Sequence, residues 1–258
     1  MPAFCAGFAR LSRSLSALLP IAAAMLASPA WAADTSVAVA ANFTEAAKEI
    51  AKRFEAATGH RAVMSFGPTG QLYTQISQDA PFQVFLAADS ERPKKAVDEG
   101  FALADSRFTY AVGRIVLFSK NADLVKGEQT LREADFSKLA IANPVTAPYG
   151  AAATEALQKL GVYDALKSKL VQGNDITQTY QFIETGNAEL GFVALSQVAG
   201  KTEGSRWILP TSLHTPIRQD AVLLKKGESS EAARAFLTYL KSKDVRGVLA
   251  QYGYATAE

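Results

Sequence analysis

The sequence predicts an α/β chain of two lobes with a ligand cleft between them. Short apolar runs alternate with amphipathic helical stretches along nearly the whole chain, the pattern of sheets covered by helices. These runs fall into two βα series of similar size. Extended segments near residues 113 and 217 join the series, so the chain crosses once and returns once. The expected boundaries are a first lobe of residues 33–113 with 217–258, and a second lobe of residues 114–216. The sheets are expected to be mainly parallel.

Before the first lobe comes an export signal in residues 2–32. Arg10 and Arg13 supply a positive start, and Leu15 to Leu26 (LSALLPIAAAML) form an apolar stretch too short to span a bilayer. Ala30-Trp31-Ala32 gives the small-x-small cleavage pattern. The single cysteine, Cys5, precedes the apolar stretch, so it is not placed for acylation at the cleavage site. Removing residues 1–32 takes away two arginines and no acid, leaving 25 basic and 25 acidic side chains on 226 residues. A net charge of zero without a Lys/Arg-rich run argues against nucleic acid as a partner. With no cysteine left, disulfides, thiolate metal sites and a cysteine nucleophile are excluded from the exported part.

Val37–Ala41 reads as the first strand, Phe43–Thr58 as a helix stopped by Gly59, and Arg61–Phe66 as the next strand. Gln71–Gln78 is helical, Phe82–Ala87 is a buried strand, and Glu91–Gly100 is a helix. Ala111–Ser119 is an apolar run at the crossing, after which Leu139–Ala142 opens the second series. That series continues through helices Ala151–Leu160 and Thr177–Thr185 and strands Leu190–Ala194 and Trp207–Leu209. The strand Ala221–Leu224 then leads into terminal helices Ser230–Lys241 and Asp244–Gln251.

Four strand-to-helix turns carry the residues suited to holding an anion. Asn42-Phe43-Thr44-Glu45 has the spacing of a capping box, and Asn42 sits at the carboxyl end of a strand, where α/β sheets bind ligands. Gly67-Pro68-Thr69-Gly70 brings a hydroxyl to a helix N-cap, without the lysine of a phosphate-binding loop or the glycine spacing of a dinucleotide site. Asn143 to Gly150 (NPVTAPYG) is stiffened by two prolines and leaves the amide of Tyr149 unpaired where Gly150 opens a helix. Gly173-Asn174-Asp175-Ile176-Thr177 is capped by Asn174 or Asp175, leaving the amides of Ile176 and Thr177 unpaired. Each turn alone is equally an ordinary cap. Two in each series can face each other across a cleft and surround a tetrahedral anion with dipoles, hydroxyls and amides.

The segments VAVAANFT (37–44), SFGPTGQL (65–72), VFLAAD (84–89), NPVTAPYGAAATEALQKLG (143–161) and ELGFVA (189–194) together resemble the periplasmic molybdate-binding proteins of ABC transporters. The resemblance covers nearly all of the chain after the signal. It implies a type II solute-binding fold that closes on molybdate or tungstate and delivers it to a membrane permease with its ATPase. The protein is then a periplasmic monomer, not an enzyme, with no cofactor and no cation-binding metal site. The resemblance also implies the ligand set: Asn42 with Ala41 beside it, Thr69 at a position that is often serine, Tyr149, and Ile176 through its backbone amide. Some relatives carry a tyrosine at the position of Ala194 and alanine at that of Tyr149. This chain has the two exchanged, so the Tyr149 hydroxyl is expected in the space that Ala194 leaves.

Rival readings rest on fewer residues. His60 and His214 lie in turns away from strand carboxyl ends and read as surface histidines, and no hydrolase elbow or zinc-protease motif is present. Tyr252 and Tyr254 invite ferric ion if strand spacing puts them on one side, but a site built of donors does not suit a hard cation. Sulfate and phosphate are nearer rivals, separated from molybdate by size. Phosphate also brings a proton that an all-donor site leaves without an acceptor. Glu91, Arg92, Lys94 and Lys95 are candidates for permease docking or simply a solvated face.

Overall fold

The computed structural model describes residues 1–3 and 32–255. Most of the export signal therefore lies outside the described residues.

Strand β1 (Asp34–Ala40) runs through a single 3-10 turn (Ala41–Phe43) into helix α1 (Thr44–Thr58). Gly59, at φ 76°, ends α1 in the left-handed conformation that glycine adopts without cost. Then follow β2 (Arg61–Gly67), α2 (Thr69–Ser77), β3 (Val84–Leu86), α3 (Glu91–Asp98), β4 (Phe108–Gly113) and β5 (Ile115–Ser119). The chain continues through α4 (Glu128–Glu133), β6 (Leu139–Ala142), α5 (Pro148–Lys159), α6 (Tyr163–Leu166), β7 (Leu170–Gly173) and α7 (Ile176–Glu184). It closes with β8 (Leu190–Ala194), α8 (Leu195–Val198), β9 (Ser205–Ile208), β10 (Ile217–Leu223), α9 (Glu231–Leu240) and α10 (Lys243–Gln251).

The strands form two five-stranded sheets, ordered β2-β1-β3-β10-β4 and β7-β6-β8-β5-β9. Both are mixed, which corrects the mainly parallel expectation. β10 runs antiparallel to β3 and β4, and β5 runs antiparallel to β8 and β9. The reason lies in the crossing. The apolar run 111–119 is two strands broken at Arg114; β5 enters the second sheet against the direction of its βα series, and in the first sheet the returning strand β10 does the same between β3 and β4. Four more elements, α4, α6, β7 and α8, were not legible as separate units because each is short and partly polar.

Period-two alternation explains why both faces of each sheet are covered. In β1, Val37 and Val39 join one core with Phe43, Ile50, Phe54 and Phe236, while Ala38 joins the other with Leu72 and Phe85. In β5, Ile115 and Leu117 face the α5 side, and Val116 and Phe118 face Ile183 of α7 and Val198 of α8. Each fully buried Phe, Leu or Ile contributes about 1.5–3 kcal/mol relative to exposure. The α5-side core also takes in Ala40, Ala41 and Ala88 from the first sheet. Apolar packing is therefore continuous across the place where the carboxyl ends of the two sheets meet.

Candidate functional site

The four turns singled out above converge on one small cavity with an empty volume of about 200 Å³. Little of that space stands clear of the walls, so the cavity is too narrow for an organic ligand. Ala40, Ala41 and Asn42 supply one wall, Pro68, Thr69 and Ala88 the next, Ala147, Pro148 and Tyr149 a third, and Asp175 and Ile176 the fourth. All five expected ligand residues, Ala41, Asn42, Thr69, Tyr149 and Ile176, line it. Among the described residues, no lysine or arginine does.

The walls present backbone N–H groups because helices begin there. Pro148 is the first residue of α5, and the amides of Gly150 and Ala151 both return to Ala147 O, at 2.9 and 3.1 Å. That leaves the Tyr149 amide as the orphan of the first turn. Gly150 is the third residue of α5 and does not open it. Its role is clearance, since a Cβ there would fall on the Ala142 carbonyl and push the helix off β6. At α7, Asp175 is the cap: its Oδ1 accepts from Gln178 N at 2.8 Å, and its carbonyl accepts from Thr179 N at 3.1 Å. Among the described residues, the amides of Ile176 and Thr177 then have no partner outside the cavity wall.

Thr69 is the first residue of α2, with Pro68 as the cap, so its hydroxyl does not cap the helix as expected. Instead Oγ1 accepts from Ala88 N at 3.1 Å, which leaves the hydroxyl proton for another acceptor. The capping box at Asn42 is also absent. Neither the 3-10 turn nor α1 has a side-chain cap, and Glu45 bonds Lys48 instead.

Asn42 is only 4% exposed because its side chain reaches under the cavity floor. Its Nδ2 donates to Gln219 Oε1 and to Tyr254 Oη, both at 3.1 Å. Gln219 Oε1 also accepts from Tyr110 Oη at 3.0 Å, and Gln219 Nε2 donates to Tyr149 Oη at 3.2 Å. Tyr254 Oη donates to Asn42 O at 2.8 Å. Burial holds the hydroxyls of Tyr110, Tyr149 and Tyr254 well above the usual tyrosine range, so all three stay neutral. The Tyr149 hydroxyl, expected in the space beside Ala194, is thus engaged by Gln219.

Four hydrogen bonds tie the two sheets' elements together around the cavity. Gly70 N donates to Thr146 O at 2.9 Å, and Arg92 Nη2 donates to Val145 O at 2.8 Å. Ser196 Oγ donates to Asn42 O at 2.9 Å, and the fourth is the Gln219–Tyr149 bond. Arg92 is fixed from behind by Asp89, whose carboxylate takes both its backbone N–H and its Nη1. The walls are therefore drawn together around the space they enclose.

Sequence reasoning missed Gln219, Tyr110, Ser196 and the bridging role of Arg92. The available signal was Gln219-Asp220 inside an otherwise apolar strand, because buried polar groups need partners. Tyr254 read as packing, and it does pack on Phe43, but its hydroxyl also belongs to the network. Tyr252 and Tyr254 are not on a strand: α10 ends at Gln251, Gly253 turns at φ 75°, and only Tyr254 is buried. Nor are the histidines on the surface. His60 is 5% and His214 4% exposed, with His60 Nδ1 accepting from Ala33 N and His214 Nδ1 against Thr215 O. Among the described residues, no cluster of three or more His, Cys, Asp or Glu could hold a metal ion.

The family model for bacterial extracellular solute-binding proteins matches residues 35–255. The molybdate-binding protein ModA of Rhodobacter capsulatus is 54% identical over 231 residues, 90% of this chain and 92% of its own. ModA of Azotobacter vinelandii is 54% identical over 249 residues, 95% of this chain and 99% of its own. The solved structure of the Azotobacter vinelandii periplasmic molybdate-binding protein superposes with a TM-score of 0.84 at 37% identity, covering 87% of this chain and 100% of that one. The fold, the match across both sheets and these relatives agree, and the chain belongs to the bacterial extracellular solute-binding proteins, in the ModA family, whose members bind a ligand without a cofactor and are not enzymes.

Proposed function

We propose that this protein captures molybdate in the cavity between the two sheets and delivers it to an ABC-transporter permease with its ATPase. The observation that carries the reading is the cavity itself: helix and turn N-termini from both sheets open onto about 200 Å³ with no basic side chain in the lining. Orphan N–H groups and a helix dipole favour an anion, and the small volume favours a compact one. The ligand set is Ala41 and Asn42, the Thr69 hydroxyl, the Tyr149 amide and the Ile176 amide. Hydrogen bonds to a charged group contribute about 1.5–3 kcal/mol each. Five to seven of them, less ordering and desolvation costs, reach roughly −8 to −12 kcal/mol, which is micromolar to nanomolar affinity. Relatives named for molybdate at 54% identity support the ion. Tungstate, with the same charge and tetrahedral shape, is the second ligand.

The lobes in this reading are residues 33–113 with 217–258, and 114–216, hinged where β4 passes to β5 and β9 to β10. Residues 1–32 serve as a cleavable export signal, and the protein acts as a periplasmic monomer. Asp175 adds a qualification to selectivity, for it is one acidic group in the wall. Its Oδ1 is held by Gln178 N, so the lining stays dominated by donors, and protonated phosphate remains the poorer ligand. Calorimetric titration with molybdate, tungstate, sulfate and phosphate tests the reading. Tight binding of the first two and weak binding of the others is expected; tight sulfate or phosphate binding, or none by any, overturns it.

A further inference from the structure

The hydrogen-bond network beneath the cavity has one unbalanced end, and the imbalance bears on how the site meets an anion. Asn42 Nδ2 gives its two protons to Gln219 Oε1 and Tyr254 Oη. Gln219 Nε2 gives one to Tyr149 Oη. Three groups are then unspent among the described residues: the proton of Tyr149, the second proton of Gln219 Nε2 and the oxygen Oδ1 of Asn42. Among the described residues, the sealed and unpartnered side-chain oxygens are those of Thr35, Thr146 and Thr154, so Asn42 Oδ1 keeps some access to the space beside Asn42, which lines both this cavity and a neighbouring one with Thr44, Ser196 and Gln197. Asn42 is a wall of the cavity, and an acceptor oxygen there would repel an incoming anion.

The same atoms support a second arrangement with the polarity reversed. If both amides turn over, Gln219 Nε2 donates to Asn42 Oδ1 and to Tyr110 Oη, and Gln219 Oε1 accepts the Tyr149 proton. Tyr110 can send its own proton to Ala87 O, which already lies 3.1 Å away. Tyr254 can move its proton from Asn42 O to Asn42 Oδ1, because Ser196 Oγ also donates to Asn42 O at 2.9 Å. Every buried donor and acceptor of the network keeps a partner, and Asn42 Nδ2 is released. Gln219 is the pivot. It is fully buried, does not line the cavity, and touches Asn42 from one sheet's elements and Tyr149 from the other's.

We propose that Gln219 is a positioning residue for the oxyanion site: its amide and that of Asn42 reverse together when the anion enters, so that Asn42 Nδ2 donates to the ligand while the Tyr149 proton goes to Gln219. This rests on the cavity being the oxyanion site. Tyr149 then acts on the ligand through its backbone amide directly and through its hydroxyl by way of Gln219.

Two measurements on the purified protein decide it. The first is a double-mutant cycle with molybdate affinity read by calorimetry. Y149F is expected to weaken binding about tenfold in the wild-type background, the size of one lost hydrogen bond, and less than about twofold in a Q219M background. An equal loss in both backgrounds would mean that the hydroxyl contacts the anion itself, and overturns the proposal. So does a Q219M protein of lower melting temperature and unchanged molybdate affinity, the result of a merely structural glutamine. The second needs no variant. In the ¹⁵N spectrum of wild-type protein, the side-chain amide signals of Gln219 and Asn42, assigned through bonds, should both shift on adding molybdate. A Gln219 signal that stays put while Asn42 moves overturns the proposal and leaves the oxyanion site standing. A wild-type protein that binds no oxyanion overturns both.

Discussion

Gly113 and Tyr149 fit together as slot and hydroxyl: a Cβ built on Gly113 would overlap the Tyr149 hydroxyl and stand 2.6 Å from Gln219 Nε2. Gly113 ends β4 where the chain leaves the first sheet, and Tyr149 is the second residue of α5 on the second. The place where the chain crosses is therefore also where the cavity floor is built. Gly113→Ala should force the tyrosine and glutamine apart, destabilising the fold by about 1–3 kcal/mol as overpacking of a filled interior does. Urea denaturation measures this, and a midpoint equal to wild type would mean that the slot has slack the geometry does not show.

Arg92 holds the mouth. Its Nη2 bonds Val145 O on the opposite wall, while Asp89 holds its Nη1 and its backbone N–H. The guanidinium is partly exposed, with 24% of the side chain accessible, so its bond is screened and a contribution of about 1 kcal/mol is reasonable. Arg92→Ala should speed ligand release roughly fivefold and barely change thermal stability. Stopped-flow displacement checks this. An unaltered release rate would show that the other bridges keep the walls together without it.

Asp220, next to the pivot Gln219, ties three elements. Its carboxylate takes bonds from Ser90 Oγ at 3.1 Å, Thr109 Oγ1 at 2.7 Å and Arg107 Nη1 at 2.7 Å, with only 3% of the side chain exposed. The bulge between Gln219 and Asp220 lets two consecutive polar side chains be buried with separate partners. Breaking a buried pair costs about 3–5 kcal/mol, and the 36% exposure of Arg107 brings Asp220→Ala below that range, to about 2–3 kcal/mol. Chemical denaturation gives the value. A loss under about 0.5 kcal/mol, typical of a surface position, would contradict it.

Glu189 makes the fold acid-sensitive at the second sheet. Burial by itself would raise its pKa, but the backbone amides of Ser137 and Lys138, at 3.0 and 2.9 Å, outweigh that and hold it below the usual carboxylate range. With the folded pKa lowered, its stabilisation is present above the unfolded value, about 4.3, and is lost as pH falls through the folded one. Glu189→Gln should therefore flatten the acid limb of the stability curve below about pH 4.3 and leave its shape at pH 7–8 unchanged. Melting temperatures across pH 3–8 would show it, and parallel curves for the two proteins would refute the assignment.

The sequence reading reached the two βα series because local periodicity writes them directly. Val37–Val39 alternates between two cores as its pattern demands, and β8 falls on Leu190–Ala194. Direction is another matter. β10 reads the same parallel or antiparallel, and only its position between β3 and β4 decides. At the site, amide-bearing turns were legible because proline, glycine and capping residues mark helix starts. The partners of Asn42 were not, since Gln219 lies 177 residues away and Tyr254 212. A capping-box spacing at Asn42-Glu45 was a false lead for the same reason: tertiary partners outcompeted the local cap.

The central claim is that an oxyanion lies in the cavity walled by Ala41, Asn42, Thr69, Tyr149 and Ile176. Crystals grown with molybdate and measured at the molybdenum absorption edge test it most directly, because the anomalous signal locates the metal atom without reference to the protein. The account predicts one strong peak inside that cavity, with oxygens in hydrogen-bond reach of the Tyr149 and Ile176 amides and the Thr69 hydroxyl. A peak elsewhere on the protein, or an empty cavity at saturating molybdate, would contradict it.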